Sequence, residues 1–283
     1  MKAAFVGAVV GLLAGTGPAR AQSSEDGAVP GDVFEVELVP DIGATLAFVG
    51  LGLLLERNKA SLANDLSCPG PTLPTGACSA ETVNPIDRWA TSMGIEAAAA
   101  ASDVLLLSSL TAPLVFSGLD AATTDRGIGG GERFGRDTVV VLQTYAATYF
   151  ATNVLKVVAH RLRPFNYDPD QVERRRDGDS RLSFPSGHTS MAFAGAASLS
   201  SMLDQRYPAE PWAIGVSVAG FALASAVGIN RVLAGRHFPS DVLAGAALGT
   251  TLGLLIPLLH RSDEPDSGTS PAALTVLNWG GRF

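Results

Sequence analysis

Residues 181–190 read RLSFPSGHTS, and residues 230–241 read NRVLAGRHFPSD. These two polar stretches contain two of the chain's four histidines, His188 and His237. Both stretches border apolar segments rich in small residues, which is the pattern of helices joined by short polar connections. We therefore expect the chemistry of this chain to lie where the ends of several helices meet.

A third polar block lies upstream, where Lys156 is followed by Arg163 and Pro164. Two residues seven positions apart are about two helical turns apart, so a helix continuing to Pro164 would project both cations from the same face. Proline does not continue a helix interior, which predicts that the helix ends there and releases the polar loop 165–184. One anion could then contact both cations.

The segment from Pro185 to His188 predicts the start of a helix, since an apolar run of small residues follows it. Ser186 offers a hydroxyl, and Gly187 lets the backbone approach a ligand closely. The first N–H groups of a helix have no partner within the helix and bind phosphate well.

The last block contains Arg231, His237 and Asp241, and Phe238-Pro239 predicts the start of the final helix. A carboxylate four residues after a histidine can hold one ring nitrogen and leave the other free to attack or to transfer a proton. Together the three blocks offer cations, a helix N-terminus and two histidines, which suits a tetrahedral dianion.

The three blocks, written K-x6-R-P, P-S-G-H and R-x5-H-x3-D, resemble the signature of the type 2 phosphatidic acid phosphatase superfamily. That superfamily also includes bacterial non-specific acid phosphatases and vanadium haloperoxidases. The resemblance covers residues from about 93 to 260. The third block of the family usually begins Ser-Arg, whereas this chain has Asn230 before Arg231.

The resemblance implies a role for each of these residues. His237 would be the nucleophile that forms a phosphohistidine, Asp241 would orient it, and His188 would protonate the leaving oxygen. The phosphate oxygens would be held by Lys156, Arg163, Ser186, Gly187 and Arg231. The resemblance implies an all-α, multi-helix bundle that works without a metal or another cofactor.

Residues 1–21 resemble a cleavable secretory signal, with an early Lys2 and an apolar stretch that is too short to span a bilayer. Cys68 and Cys78 are the only cysteines and lie in a loop rich in proline and glycine, which predicts a disulfide formed in an oxidising compartment. We divide the chain into a signal (1–21), an N-terminal segment with the cysteine loop (22–92), a helical phosphatase domain (93–260) and a tail (261–283).

The composition favours a membrane protein. Hydrophobic residues make up 47% of the 283 residues and charged residues only 17%, which is less charge than the usual quarter of a soluble domain. The formal net charge of −7 argues against nucleic acid as a partner. We expect a membrane partner and a lipid phosphate substrate.

The apolar pattern predicts five helices, a short strand at 32–39 and a connector at 119–136 that contains three consecutive glycines. The apolar segment 42–55 has only fourteen residues, so we expect it to pack or lie at the interface rather than to span. The predicted helices are 93–118, 137–160, 189–203, 211–230 and 241–259.

A cleaved signal and a segment 42–55 that does not cross would place the site on the periplasmic side of a bacterial inner membrane. We therefore expect a metal-independent lipid phosphatase, and the resemblance to the family implies a substrate of the undecaprenyl pyrophosphate, phosphatidic acid or phosphatidylglycerol phosphate class. A soluble periplasmic acid phosphatase of broad specificity is the first alternative, and a vanadate-dependent haloperoxidase is the second.

Overall fold

The computed structural model describes residues 34–62, 67–124 and 129–261. Within these ranges six long helices run between two ends of the molecule. They are α1 (Leu38–Leu62), α2 (Glu96–Thr123), α3 (Gly130–Ala159), α4 (Gly187–Arg206), α5 (Pro211–Leu233) and α6 (Pro239–Leu259). The expected all-α fold is confirmed. The signal predicted at 1–21 and the tail after residue 261 lie outside the described residues.

The two ends differ in character. The far end holds the start of α1 beside the end of α6, where the N–H of Glu35 donates to the His260 carbonyl at 2.7 Å. The loop end holds residues 67–95, 160–186 and 234–238, and there Lys59 donates to Asp179 at 3.2 Å. Its short elements are the helical turns Ala80–Thr82, Pro85–Arg88, Trp89–Ser92, Pro164–Tyr167, Val172–Arg175 and Gly178–Arg181.

Helices α3 and α4 form the centre of the bundle, and each carries more buried residues than any other helix that the structure describes. Helix α1 packs on α3 through Phe48 and Phe150, whose ring centroids lie 5.7 Å apart. On the other side, Ala192 and Ala196 of α4 pack with Ala224 and Val227 of α5. The small side chains bring the loop-end termini of these helices close together.

Glycines set the distance between α4 and α6. A Cβ atom on Gly249 would lie 2.0 Å from the carbonyl oxygen of Ser190, and one on Gly245 would lie 2.7 Å from that of Ser186. Only glycine allows this backbone approach. The start of α4 is therefore fixed directly against the first turns of α6.

Buried charges join three helices at the far end. Arg206 of α4 donates to Asp137 of α3 at 2.6 Å, and it lies 3.3 Å from Asp120 of α2. Arg133 lies 3.6 Å from the same Asp120 carboxylate and donates to its backbone carbonyl at 2.9 Å. Because buried charges are costly unless they are paired, this network holds α2, α3 and α4 in one register.

Four of the helices, α1, α2, α5 and α6, are long and apolar enough to cross a membrane. Their outer faces expose large apolar side chains, among them Leu46 at 66%, Val104 at 67% and Leu243 at 68%. Apolar surface of this kind is normally covered in a soluble protein. The four helices support the expected membrane protein.

In the N-terminal segment the predicted strand and the predicted length of the apolar helix are wrong. Residues 34–39 do not form a strand, because Phe34 makes a single isolated bridge with Arg261 and α1 begins at Leu38. The Asp41 carboxylate favours the helix by accepting from the N–H of Glu37 at 2.8 Å. The apolar segment 42–55 is only the middle of a helix, since α1 continues through polar residues and offers 22 residues, Leu38–Lys59, for a span.

Two predicted helix boundaries also change. Gly130 and Gly131 belong to α3 rather than to a connector, and Gly130 is needed because a Cβ there would lie 2.3 Å from the Ala121 carbonyl oxygen. At its other end α3 stops at Ala159, where His160 takes a left-handed conformation with φ 46°. Lys156 and Arg163 therefore do not share a helix face.

The cysteine loop belongs to the loop end. Cys68 and Cys78 form the predicted disulfide. The N–H of Cys78 donates to the Asn166 carbonyl at 3.0 Å, and Cys78 packs in one cluster with Tyr167, Val232 and Phe238. The disulfide thus lies on the same side of the bundle as the two histidine blocks.

The close contact of α4 with α6 leads to a first prediction. Gly249→Ala should lower the free energy of unfolding by about 1–3 kcal/mol, because its methyl group would overlap the Ser190 carbonyl. The measurement is thermal unfolding in detergent. Gly50→Ala on α1 is the matched control, because a Cβ there meets nothing within 4 Å. Equal melting temperatures for the two variants would contradict this packing.

Candidate active site

His237 lies at the centre of the loop end and is only 1% exposed. Its Nδ1 lies 2.7 Å from the Ser183 carbonyl oxygen. A carbonyl can only accept, so Nδ1 carries the proton and Nε2 keeps its lone pair. Burial lowers the pKa of His237 well below 6.5, and the charges of Arg163, Arg231 and Lys156 lower it further. The imidazole is therefore neutral, with a nucleophilic nitrogen.

Ser183 holds the tautomer of His237, and Asp241 acts through Ser183. The Asp241 carboxylate accepts from the Ser183 hydroxyl at 2.5 Å and from the N–H of Phe238 at 2.8 Å. Its nearest oxygen is 3.8 Å from His237 Nδ1, which is too long for a hydrogen bond. Asp241 thus fixes the carbonyl that orients the ring, instead of binding the ring as the resemblance implied.

Arg161 links this carboxylate to the cysteine loop. Its Nη1 donates to Asp241 at 2.6 Å and its Nη2 donates to Asp87 at 2.7 Å. Asp87 also accepts from the Ser240 hydroxyl at 2.6 Å and from Asn84 at 2.7 Å. Burial works against ionisation of Asp87, but these hydrogen bonds outweigh it and lower its pKa to about 2.

Arg163 contacts His237 directly, although it does not lie on α3. Its Nη1 donates to Nε2 of His237 at 3.1 Å and to the Arg236 carbonyl at 2.9 Å. Its Nη2 pairs with the Asp179 carboxylate, which also accepts from Lys59. Burial acts to raise the pKa of Asp179, but the cations Arg163, Lys156 and Lys59 outweigh it and lower that pKa.

The second histidine has a carboxylate partner on α2. His188 Nε2 lies 2.8 Å from Asp103 Oδ1, and Nη1 of Arg231 lies 3.7 Å from the same oxygen. Arg231 is buried, donates to Ser102 at 3.3 Å and keeps an Nε–H without a partner. A buried donor without a partner is costly, and a phosphate oxygen would satisfy it. Asn230 bonds back to its own helix.

The start of α4 brings the remaining predicted residues to the same place. Ser186 caps the helix, with its hydroxyl oxygen 3.5 Å from the N–H of Thr189, and its own N–H donates to the Asp241 carbonyl at 3.0 Å. A Cβ on Gly187 would lie 4.0 Å from Nζ of Lys156. Contacts and charge interactions thus connect all eight residues of the predicted site.

Sequence reasoning missed the residues that hold this site together. Ser183, Asp87 and Arg161 support His237, and nothing in the motif spacing pointed to them. A weaker signal existed for Asp103, a charge inside an apolar helix. Lys59 carried a similar signal, since the chain has only three lysines.

Residues 137–264 match the family model of the PAP2 superfamily. The resemblance carried by the three polar blocks is thus confirmed for this part of the chain, which is similar to the PAP2 superfamily. The matched region contains the three predicted blocks, whereas α1, the cysteine loop and α2 precede it. The polar contacts from Lys59, Asp87 and Asp103 therefore come from outside the matched domain.

Curated relatives are similar over parts of their length. Over 81 residues the chain is 46% identical to a lipid A 1-phosphatase of Porphyromonas gingivalis, covering 29% of this chain and 17% of the relative. It is 32% identical to a decaprenylphosphoryl-5-phosphoribose phosphatase of Mycobacterium tuberculosis, and this alignment covers 36% of this chain and 50% of the relative. It is 35% identical to an undecaprenyl-diphosphatase of Sulfolobus acidocaldarius, and this alignment covers 36% of this chain and 45% of the relative. The alignments thus span half or less of these relatives.

Among solved structures, a transmembrane PAP2 type phosphatidylglycerolphosphate phosphatase from Bacillus subtilis aligns with a TM-score of 0.42 and 21% identity. The alignment covers 76% of this chain and 93% of that one.

The buried Asp87 leads to a second prediction. Asp87→Asn should lower the free energy of unfolding at neutral pH by about 2 kcal/mol, because the folded pKa of about 2 lies below the unfolded value of 3.8. A lowered pKa stabilises the fold above the unfolded value, and this stabilisation is lost as the pH falls toward 2. Unfolding in detergent at pH 7 and pH 3 should therefore show a smaller difference at pH 3.

Glu173→Gln is the matched control for Asp87→Asn, since it removes the same charge from a side chain that is 83% exposed. We expect it to leave stability nearly unchanged at both pH values. A difference between wild type and Asp87→Asn that does not depend on pH would contradict the ionised network.

Proposed function

We propose that this protein is a lipid phosphatase that hydrolyses a phosphate monoester or pyrophosphate through a phosphohistidine at His237. The observation that carries the proposal is the state of this histidine. A neutral imidazole with its lone pair on Nε2 lies 3.1 Å from a guanidinium that is suited to bind phosphate. Nucleophilic catalysis requires such an activated side chain beside a site that stabilises the developing charge.

In the first step Nε2 of His237 forms a bond to phosphorus while the bond to the leaving oxygen breaks. His188 donates a proton to that oxygen. In the second step water attacks the phosphohistidine, His188 accepts the proton, and phosphate leaves with His237 neutral again. Arg163 stabilises both steps, and in the bound state a phosphate oxygen replaces Nε2 as the acceptor of its Nη1.

The lipid character of the substrate follows from the outer surface. Four helices with exposed leucines and valines place the bundle in a bilayer, so a lipid headgroup can reach the loop end directly. The named activities of the relatives, on lipid A, a decaprenyl phosphosugar and undecaprenyl diphosphate, are consistent with a lipid phosphate. This surface favours the lipid phosphatase over a soluble periplasmic acid phosphatase.

The disulfide orients the site. It lies at the loop end with His237, and a disulfide forms in an oxidising compartment, which supports a site that faces the periplasm of a bacterial inner membrane. Because α1 crosses, its start then lies on the cytoplasmic side. A signal cleaved after residue 21 would instead start the mature chain outside and carry the disulfide to the cytoplasm.

The most direct test of the function is phosphate release by the purified protein in detergent. The panel contains phosphatidic acid, a prenyl pyrophosphate and an aryl phosphate. His237→Asn is the inactive control and Arg176→Gln, on an exposed surface pair, is the neutral one. Absence of phosphate release from all three compounds would refute the proposal.

A third prediction concerns metals. Turnover should be unchanged by EDTA, because Lys156, Arg163 and Arg231 supply the positive charge that a metal would bring to the transition state. In the described residues no three His, Cys, Asp or Glu side chains lie close enough to hold a metal ion. Full loss of turnover in EDTA, restored by magnesium, would contradict this prediction.

A fourth prediction separates the two histidines. His188→Asn should lower turnover by roughly 10² to 10⁴ for a lipid alcohol leaving group, and much less for an aryl phosphate whose oxygen leaves readily as an anion. His237→Asn should abolish turnover of both. Steady-state kinetics of both variants on both substrates give the ratio of aryl phosphate turnover to lipid phosphate turnover. Equal losses on the two substrates in His188→Asn would show that it is not the acid.

A further inference from the structure

A cavity of about 230 Å³ lies beside His188 and Lys156. Its volume corresponds to roughly seven water molecules, which is enough for a small polyol or one sugar ring. If His188 protonates the leaving oxygen, the leaving group occupies this cavity, so the inference rests on the proposed function. The cavity is lined by Glu56, Leu106, Tyr149, Thr152, Asn153, Lys156, Gly187, His188 and Met191.

Thr152 is the most informative residue of the lining. It is 4% exposed, and its hydroxyl has no hydrogen-bond partner. Thr148 and Thr144 lie one and two turns earlier on α3, and the hydroxyl of each donates to the carbonyl four residues before it. A buried hydroxyl that lines a cavity without a partner is costly, and a ligand with polar groups would satisfy it.

Glu56 adds a carboxylate to the same wall. It comes from α1, outside the region matched by the family, and pairs with Lys59 at 2.5 Å. Lys59 also donates to Asp179, the partner of Arg163. The carboxylate is therefore held in place by the ion pairs that also hold the phosphate-binding arginine.

We propose that this cavity is a leaving-group subsite for a sugar or polyol headgroup, so that the preferred substrate is a phosphate monoester on a hydroxylated lipid headgroup. Hydroxyls of such a headgroup donate to the Glu56 carboxylate and bond to Thr152 and Asn153. Leu106 and Met191 supply apolar surface for the adjoining lipid.

The same lining disfavours the other substrate classes. A pyrophosphate would place a second anionic phosphate beside Glu56, and it carries only acceptors toward a carboxylate that also only accepts. A diacylglycerol leaving group has ester carbonyls that can accept from the Thr152 hydroxyl, but it has no hydroxyl to donate to the Glu56 carboxylate. Sites built to bond a hydroxyl discriminate strongly against analogues that lack it.

The test compares kcat/KM for three lipids, a prenyl phosphosugar with a terminal phosphate monoester, a prenyl pyrophosphate with the same chain, and phosphatidic acid. The wild type should prefer the phosphosugar by tenfold or more. Thr152→Val has the same shape without the hydroxyl and should lower kcat/KM for the phosphosugar about five- to tenfold, with less than a twofold change for the pyrophosphate. Glu56→Gln should raise kcat/KM for the pyrophosphate several-fold, which reduces the preference of the enzyme for the phosphosugar.

Thr144→Val is the matched control, because it makes the same substitution on α3 at a buried residue outside the cavity. It should leave the ratio of the substrates unchanged. A wild type that prefers the pyrophosphate or phosphatidic acid would overturn the inference. An equal decrease of kcat/KM for all three substrates in Thr152→Val would also overturn it. Failure of the proposed function is distinct, since it would abolish release from the aryl phosphate as well.

Discussion

The hydrogen bond from Nδ1 of His237 to the Ser183 carbonyl is the contact on which the rest of the site depends. It decides which nitrogen carries the proton, and therefore that Nε2 faces the cations with a free lone pair. The carbonyl is held by its own residue, since the Ser183 N–H donates to the Arg161 carbonyl at 2.8 Å and its hydroxyl donates to Asp241. A network of charged side chains thus holds the Ser183 carbonyl oxygen that accepts from His237.

That chain of contacts explains why residues far apart in sequence are needed. Asp87 lies in the cysteine loop, Arg161 follows α3, and Asp241 lies in the first turn of α6. Arg161 can bind two carboxylates at once because its guanidinium offers donors in a fixed fork. Loss of either carboxylate would remove one of the two acceptors that hold this guanidinium in place. The disulfide loop therefore supports the site through Asp87, which holds Arg161 and through it Asp241.

The sequence predicts the polar blocks well, because their residue types suit the ends of helices. Ser186 as a cap, Pro239 as a first helical residue and the cations before Pro164 all lie at helix termini or in the loops that follow. What spacing alone could not predict is the tertiary pairing. The periodic pattern continues past Ala159, so the left-handed turn at His160 was missed, and Arg163 reaches the site from an extended segment. The length of α1 was underestimated because polar residues from Glu56 to Lys59 continue the helix toward the site.

The central claim is that phosphorus is transferred to Nε2 of His237. The most direct measurement is rapid acid-free quenching of the wild type with a labelled lipid phosphate, followed by mass spectrometry of the peptides. The account predicts a phosphate that is stable in base and labile in acid on the peptide containing His237, formed within the first turnover and absent in His237→Asn. Steady turnover with no phosphorylated peptide, or a phosphate trapped on a different residue, would contradict it.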